Sequence, residues 1–224
     1  MSRNSTLSRN LCIIFCLLLG PANMQAQSGK MENLPNLVLP QFTEGTVILK
    51  TGDSYNAVMN YEMLEQQMIV QKNGKYFILM DQDLVDTIII SERAFIPYGK
   101  IFYEVLASGP VSLFYEPKCI LESIGGVVPY DTRGTSGGLA GNTTNYGPGG
   151  AIELKIPENY KIVDASETWV RKDGVMQRIS NKKQFMKLLA DKETEVTRFI
   201  KQNNTDFRNL DDLTKLAEYY NGLN

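Results

Sequence analysis

The 224-residue chain contains no histidine. That absence removes the Ser-His-Asp and Cys-His nucleophile systems, His-ligated zinc, and imidazole acid–base catalysis. Cysteine is nearly as scarce. Of three, Cys12 and Cys16 fall in the apolar run Leu11–Leu19, and only Cys119 lies beyond it. If that run leaves with a leader, no internal disulfide can form. Ile120 and Leu121 beside Cys119 predict a buried small hydrophobe rather than a reactive thiol. Positive charge is not in excess: 23 Lys and Arg stand against 25 Asp and Glu, a formal balance of −2. Nucleic acid is therefore not an expected partner. Glycoside hydrolysis needs only two carboxylates and survives the elimination, although nothing in the residue order marks such a pair.

Long apolar runs are also missing. Leu11–Leu19 is shorter than the ~20 residues a helix needs to cross a bilayer. Arg3 and Arg9 precede it and Met24-Gln25-Ala26 follows it, so residues 1–26 read as a secretory signal peptide. The two cysteines sit mid-run, which argues against a lipidated cysteine. The mature chain is expected to begin at Gln27, to carry no transmembrane span, and to be more acidic than −2 because both arginines leave.

What the chain has in quantity is extended sequence. Tyr55, Ala57, Met59 and Tyr61 alternate with polar neighbours, the period of a half-buried strand. Thr46–Leu49 precedes them across the turn-rich Thr51–Ser54. Gln67–Gln71 and Tyr76–Met80 flank Asn73-Gly74, a strong short hairpin signal. Further strands are expected at Asp86–Ser91, Ile101–Leu106 and Val111–Tyr115, the last two joined through Ser108-Gly109-Pro110. Turns every ~10 residues suggest an antiparallel meander, a sandwich or a partial barrel. Pro35 and Pro40 mark Ser28–Glu44 as an extended lead-in, expected along a sheet edge.

Gly125–Gly150 is rich in Gly, Ser, Thr and Asn, and reads as a long solvated insert. It lacks the Lys-Ser/Thr of a phosphate loop. Ile152–Ile156 alternates as a strand, and Trp169–Met176 reads as a hairpin turning at Asp173-Gly174. Both should rejoin the sheet, with Trp169 a core residue near the second hairpin rather than a ligand platform.

From Ser180 the period lengthens to that of a helix. Ser180 or Asn181 would cap a helix carrying Phe185, Leu188 and Leu189. Asp191 would cap one carrying Val196, Phe199 and Ile200, and Asn209 one carrying Leu210, Leu213, Leu216, Ala217 and Tyr220. Gly222 is the expected stop. Asp81, Asp83 and Asp86 lack the glycine and final glutamate of a calcium loop and read as a solvated turn. Lys50-Thr51-Gly52 and Ser180–Lys183 share letters with two penicillin-binding-enzyme motifs, in reversed order and by chance.

The Ala26-Gln27 junction, the β-rich body and the tail are similar to the uncharacterised exported proteins of Bacteroidota. The tail is carried by Lys183-Gln-Phe-Met-Lys-Leu-Leu, Arg198-Phe-Ile-Lys-Gln-Asn and Asp212–Asn221. The resemblance implies a diderm envelope, hence periplasm or outer-membrane surface, and transfers no functional residue.

The expected fold is α+β and β-dominated. It comprises a leader (1–26), a β-rich domain (27–179) with an insert at 125–150, and a three-helix cap (180–224) packed on it. The expected function is a non-catalytic cell-envelope protein that binds another envelope protein or complex, as a subunit or accessory of an outer-membrane assembly. The alternative is a carbohydrate-binding or carboxylate-dependent carbohydrate-acting protein. No catalytic residue, cofactor or metal ligand is assigned.

Overall fold

The computed structural model describes residues 34–124, 144–146, 150–154, 156 and 159–223. The expected leader and most of the Gly-rich stretch lie outside the described residues.

Eight strands form two antiparallel meanders. The first is β1 (Thr43–Leu49), β2 (Ser54–Glu62), β3 (Gln67–Lys72) and β4 (Lys75–Ile78). The second is β5 (Val85–Ile90), β6 (Arg93–Tyr98), β7 (Ile101–Ala107) and β8 (Val111–Glu116). They join where β5 pairs with β1, so the spatial order is β4-β3-β2-β1-β5-β6-β7-β8. A short 3-10 turn, Gln82–Leu84, leads the chain from the end of β4 back to β5. β10 (Thr144–Tyr146) and β11 (Ile152–Leu154) extend the β4 side. β13 (Glu167–Lys172) and β14 (Val175–Ile179) extend the β8 side. β9 (Cys119–Ser123) and β12 (Tyr160–Asp164) pair separately. The result is β-dominated, with one large antiparallel sheet that curls until β3 approaches β7 but does not close into a barrel. Thr144–Tyr146 forms a strand within the stretch expected to be a solvated insert.

The turns explain the register. Asn73 (φ 52) and Gly74 (φ 71), and Asp173 (φ 54) and Gly174 (φ 79), take left-handed conformations at both central positions, as a type I′ hairpin requires. The β5–β6 turn does the same with Ser91 (φ 48) and Glu92 (φ 67), and contains no glycine. Pro97 sits within β6, an interior strand. Its missing N–H does no harm because β5 pairs with β6 only as far as Phe95, so Pro97 is bonded on the β7 side alone.

One sheet face is apolar along its length. Across β1–β3 and β5–β7 it encloses Val47, Met59, Tyr61, Met68, Ile88, Phe95 and Phe102, all at most 1% exposed. At the far end the same face carries Leu113, Val170 and Ile179. There it is covered by α1 (Lys182–Leu188), α2 (Glu193–Asn203) and α3 (Leu210–Asn221) through Phe185, Leu189, Val196 and Leu216. Each fully buried large side chain contributes about 1.5–3 kcal/mol. The helices therefore complete the core where the curl of the sheet cannot.

Asn181 caps α1 by accepting the Gln184 N–H at 3.0 Å, and Asn209 caps α3 through the Asp211 and Asp212 N–H groups. Asp191 caps nothing. It lies in a 3-10 turn, Ala190–Lys192, and binds Lys172 and Tyr220 instead. Gly222 ends α3 at φ −77 without using glycine's left-handed freedom, whereas Asn204 (φ 49) ends α2 with it.

The lead-in is not at a sheet edge. It runs beside β2, beyond the start of β1: Leu37 bridges Glu62, and the Val38 N–H donates to the Tyr61 carbonyl at 3.0 Å. Fully buried Asn60 binds it from below. Its Oδ1 accepts the Leu39 N–H at 3.0 Å, and its Nδ2 donates to the Leu39 carbonyl at 2.8 Å.

Candidate functional site

Three carboxylates are almost fully buried, and they are the first place to look for chemistry. Glu104, 8% exposed, takes a two-pronged bond from Arg93, with Nε at 2.6 Å and Nη2 at 2.5 Å. Such fork geometry satisfies both oxygens at once. Glu62 accepts the Leu64 and Glu65 N–H groups at 2.8 and 2.7 Å and the Asn36 amide at 2.6 Å. It thereby closes the β2–β3 turn. Burial raises its carboxyl above the usual range, and these donors oppose the shift. Glu116 accepts the Trp169 Nε1 at 2.7 Å and the Gln66 Nε2 at 2.8 Å. Each of the three acids is occupied by structural donors.

Around Glu116 the sheet face opposite the helices becomes aromatic. Ile89, Ala94, Val105, Phe114, Trp169 and Arg178 are successive register partners across β5, β6, β7, β8, β13 and β14. Tyr103 stands edge-on to Tyr98 at 6.0 Å and to Trp169 at 5.9 Å. Burial, then the Glu116 charge, pushes the Tyr103 phenol up to about 12. Trp169 is half-buried and Tyr98 is 55% exposed. Glu167 lies directly opposite Glu116 in register and is neutralised from the other side by Arg178 at 2.6 Å.

The same Glu167–Arg178 pair borders a half-open cavity of about 380 Å³. This groove lies at the end of the β13–β14 hairpin remote from its turn, against the segment that leads into α3. Ser180 and Asn181 line it from the sheet side, and Phe207 and Arg208 from the helical side. The Arg208 side chain is 91% exposed and meets Asp206 at a loose 3.4 Å. β14 forms one wall and is the last strand of the sheet.

Cys119 is 2% exposed, and burial raises its thiol to about 12. It is a core residue, as its neighbours suggest. Among the described residues, Asp81, Asp83 and Asp86 do not form a metal-holding group. Asp81 (φ 57) instead opens the Gln82–Leu84 turn. No described helix is long and apolar enough to cross a membrane. Sequence reasoning missed the Glu116–Trp169–Gln66 contact because it joins residues far apart in the chain. The residue order did not mark β14 as an outer strand; that place follows from the pairing of β13 with β8.

No protein-family model, curated protein or solved structure matches the chain.

Proposed function

We propose that the protein is an exported, non-catalytic component of the cell envelope that binds a macromolecular partner. The observation that carries this reading is the use made of its polar groups. The three buried carboxylates are consumed in fixing turns and strands. The groove and the outer strand β14, by contrast, present polar groups outward. A site built for chemistry keeps an acid, base or nucleophile poised, with a perturbed pKa and room for a substrate. A site built for recognition needs surface. The leader read at 1–26 supplies the route to the envelope, where the partner is another envelope protein or complex.

The test is the native size of the protein in a gently solubilised envelope extract. It should migrate well above the size of its own monomer and return to monomer size when purified alone. Monomer size in the fresh extract would contradict it.

A second reading, carbohydrate binding, is favoured by one observation. Tyr98, Tyr103 and Trp169 form a row beside Glu116 and Glu167 on the open sheet face. Binding to purified envelope polysaccharide that disappears in Tyr98→Ala would support it. Equal binding by the two proteins would remove it.

A further inference from the structure

We propose that Asn73 is a self-modification site: its side-chain amide cyclises onto the main-chain nitrogen of Gly74, and the β3–β4 hairpin tip converts to aspartate and isoaspartate at that position. The inference stands independently of the partner-binding reading above. The Gly74 nitrogen, having lost its proton to hydroxide, attacks Asn73 Cγ. The new C–N bond closes a succinimide ring, and the side-chain nitrogen leaves as ammonia. Water then opens the ring at either carbonyl. One opening gives aspartate. The other gives isoaspartate, with the main chain rerouted through the side-chain carbon. No oxidant or reductant takes part. Glycine hinders the attack least of all following residues, because it carries no Cβ.

Asparagine precedes glycine twice in the chain, at 73–74 and at 221–222. The fold treats the two pairs differently. Asn221 is clamped: its Oδ1 accepts the Val111 N–H at 2.9 Å and its Nδ2 donates to the Val111 carbonyl at 2.8 Å. The nucleophile is engaged as well, since the Gly222 N–H donates to the Glu218 and Tyr219 carbonyls at 2.9 and 3.1 Å. Cyclisation there must first detach the end of α3, whose Tyr220 is 2% exposed, from the core.

Asn73 and Gly74 are both exposed. Among the described residues neither the Asn73 side chain nor the Gly74 N–H has a hydrogen-bond partner. A Cβ at Gly74 would meet nothing within 4 Å, so the approach is open. Ring closure needs the turn to swing out of its left-handed conformation (φ 52 and 71), and it therefore proceeds from an opened tip. Opening meets little resistance. β4 is four residues long, and the pair that closes the turn sets Lys72 directly opposite Lys75. Like charges so placed work against the pairing. Among the described residues neither lysine meets an acid. Lys72, Asn73 and Lys75 border one half-open hollow with Phe77, so the ammonium groups flank the nitrogen that must shed its proton and favour its anion. The two products then differ in effect. Aspartate-glycine suits this turn as asparagine-glycine does, and its carboxylate lies between two lysines. Isoaspartate adds a methylene to the main chain and breaks the Lys72–Lys75 register.

The test is incubation of the full chain at mildly alkaline pH, followed by peptide mapping that separates aspartate from isoaspartate. The peptide holding Asn73-Gly74 is expected to convert at least about tenfold faster than the one holding Asn221-Gly222, because a hairpin tip opens far more readily than a packed helix end. Both products should form, and the rate should rise with pH. In urea, where neither site is held, the two rates should converge. Equal rates in the folded chain, conversion of Asn221 first, or aspartate without isoaspartate at position 73 would each overturn the proposal. So would a folded chain in which Asn73 stays intact while the same residue converts in urea.

Discussion

Trp169 donates its indole Nε1 to Glu116 at 2.7 Å, bridging β8 and β13 on the sheet face away from the helices. The other Glu116 oxygen receives Gln66 from the β2–β3 turn at 2.8 Å. One buried carboxylate therefore ties the curled first meander to the hairpin that carries the open edge. Glu116→Ala leaves two donors without an acceptor. It should cost about 1–2 kcal/mol, since both donors are only partly buried. Glu116→Gln keeps an acceptor and should cost less. Urea unfolding gives the energies. The emission of Trp169, the single tryptophan, should change in Glu116→Ala even in the folded protein.

Asp191 holds the helical cap to the sheet. Its carboxyl is lowered to about 2 by the hydrogen bond from Lys172 and then by that from Tyr220. A carboxyl with a depressed folded-state pKa stabilises above its unfolded value near 3.9, and that stabilisation is lost as pH falls toward 2. The side chain is 51% exposed, so the contribution is screened and should be below ~1 kcal/mol. Asp191→Asn is expected to be less stable than wild type at pH 7, with the gap shrinking from pH 4 to pH 2. A gap independent of pH across that window would contradict this.

Asn60 replaces a missing length of strand. Beyond the start of β1, its amide bonds both backbone groups of Leu39 and stands in for a ladder partner. Asn60→Ala is expected to cost about 2–3 kcal/mol and to speed exchange of the Leu39 amide. An unchanged Leu39 exchange rate would show that the lead-in is held by other contacts.

The Ser91-Glu92 turn carries left-handed strain without glycine. Replacing it with Asn-Gly, the pair used at 73–74, should stabilise the fold by roughly 1 kcal/mol and raise Tm by about 2–4 °C. Gly45→Ala should do the reverse. A methyl there would lie 2.6 Å from the Ile89 carbonyl oxygen and 2.9 Å from Ile90 Cγ1, at the β1–β5 junction that joins the two meanders. Overpacking of that kind costs about 1–3 kcal/mol.

Local rules carried the sequence reading a long way. Asn73-Gly74 and Asp173-Gly174 announced their hairpins, and Asn181 and Asn209 announced their helices. Alternation at Tyr55–Tyr61 placed Met59 and Tyr61 inward, but Tyr55 on the same face is 44% exposed and Asn60 on the other is fully buried beneath the lead-in. The strand β6 was invisible because Ser91-Glu92 lacks a turn signature and Pro97 argues against a strand unless the limited β5 pairing is known. Asp191 looked like a cap because its carboxylate lies just before a helix, but Lys172, nineteen residues earlier, claims it. Glu62, Glu104 and Glu116 carry no local mark of burial. Their roles depend on Asn36, Arg93, Gln66 and Trp169, which only the folded chain brings together.

The central claim is that this surface exists to hold another macromolecule. Its most direct test is affinity capture of the tagged mature chain from its native envelope, quantified by mass spectrometry against an untagged control. The account expects one or a few proteins retained near equal molar amount and surviving a salt wash. A tagged chain that emerges alone, with nothing above the control, would contradict it.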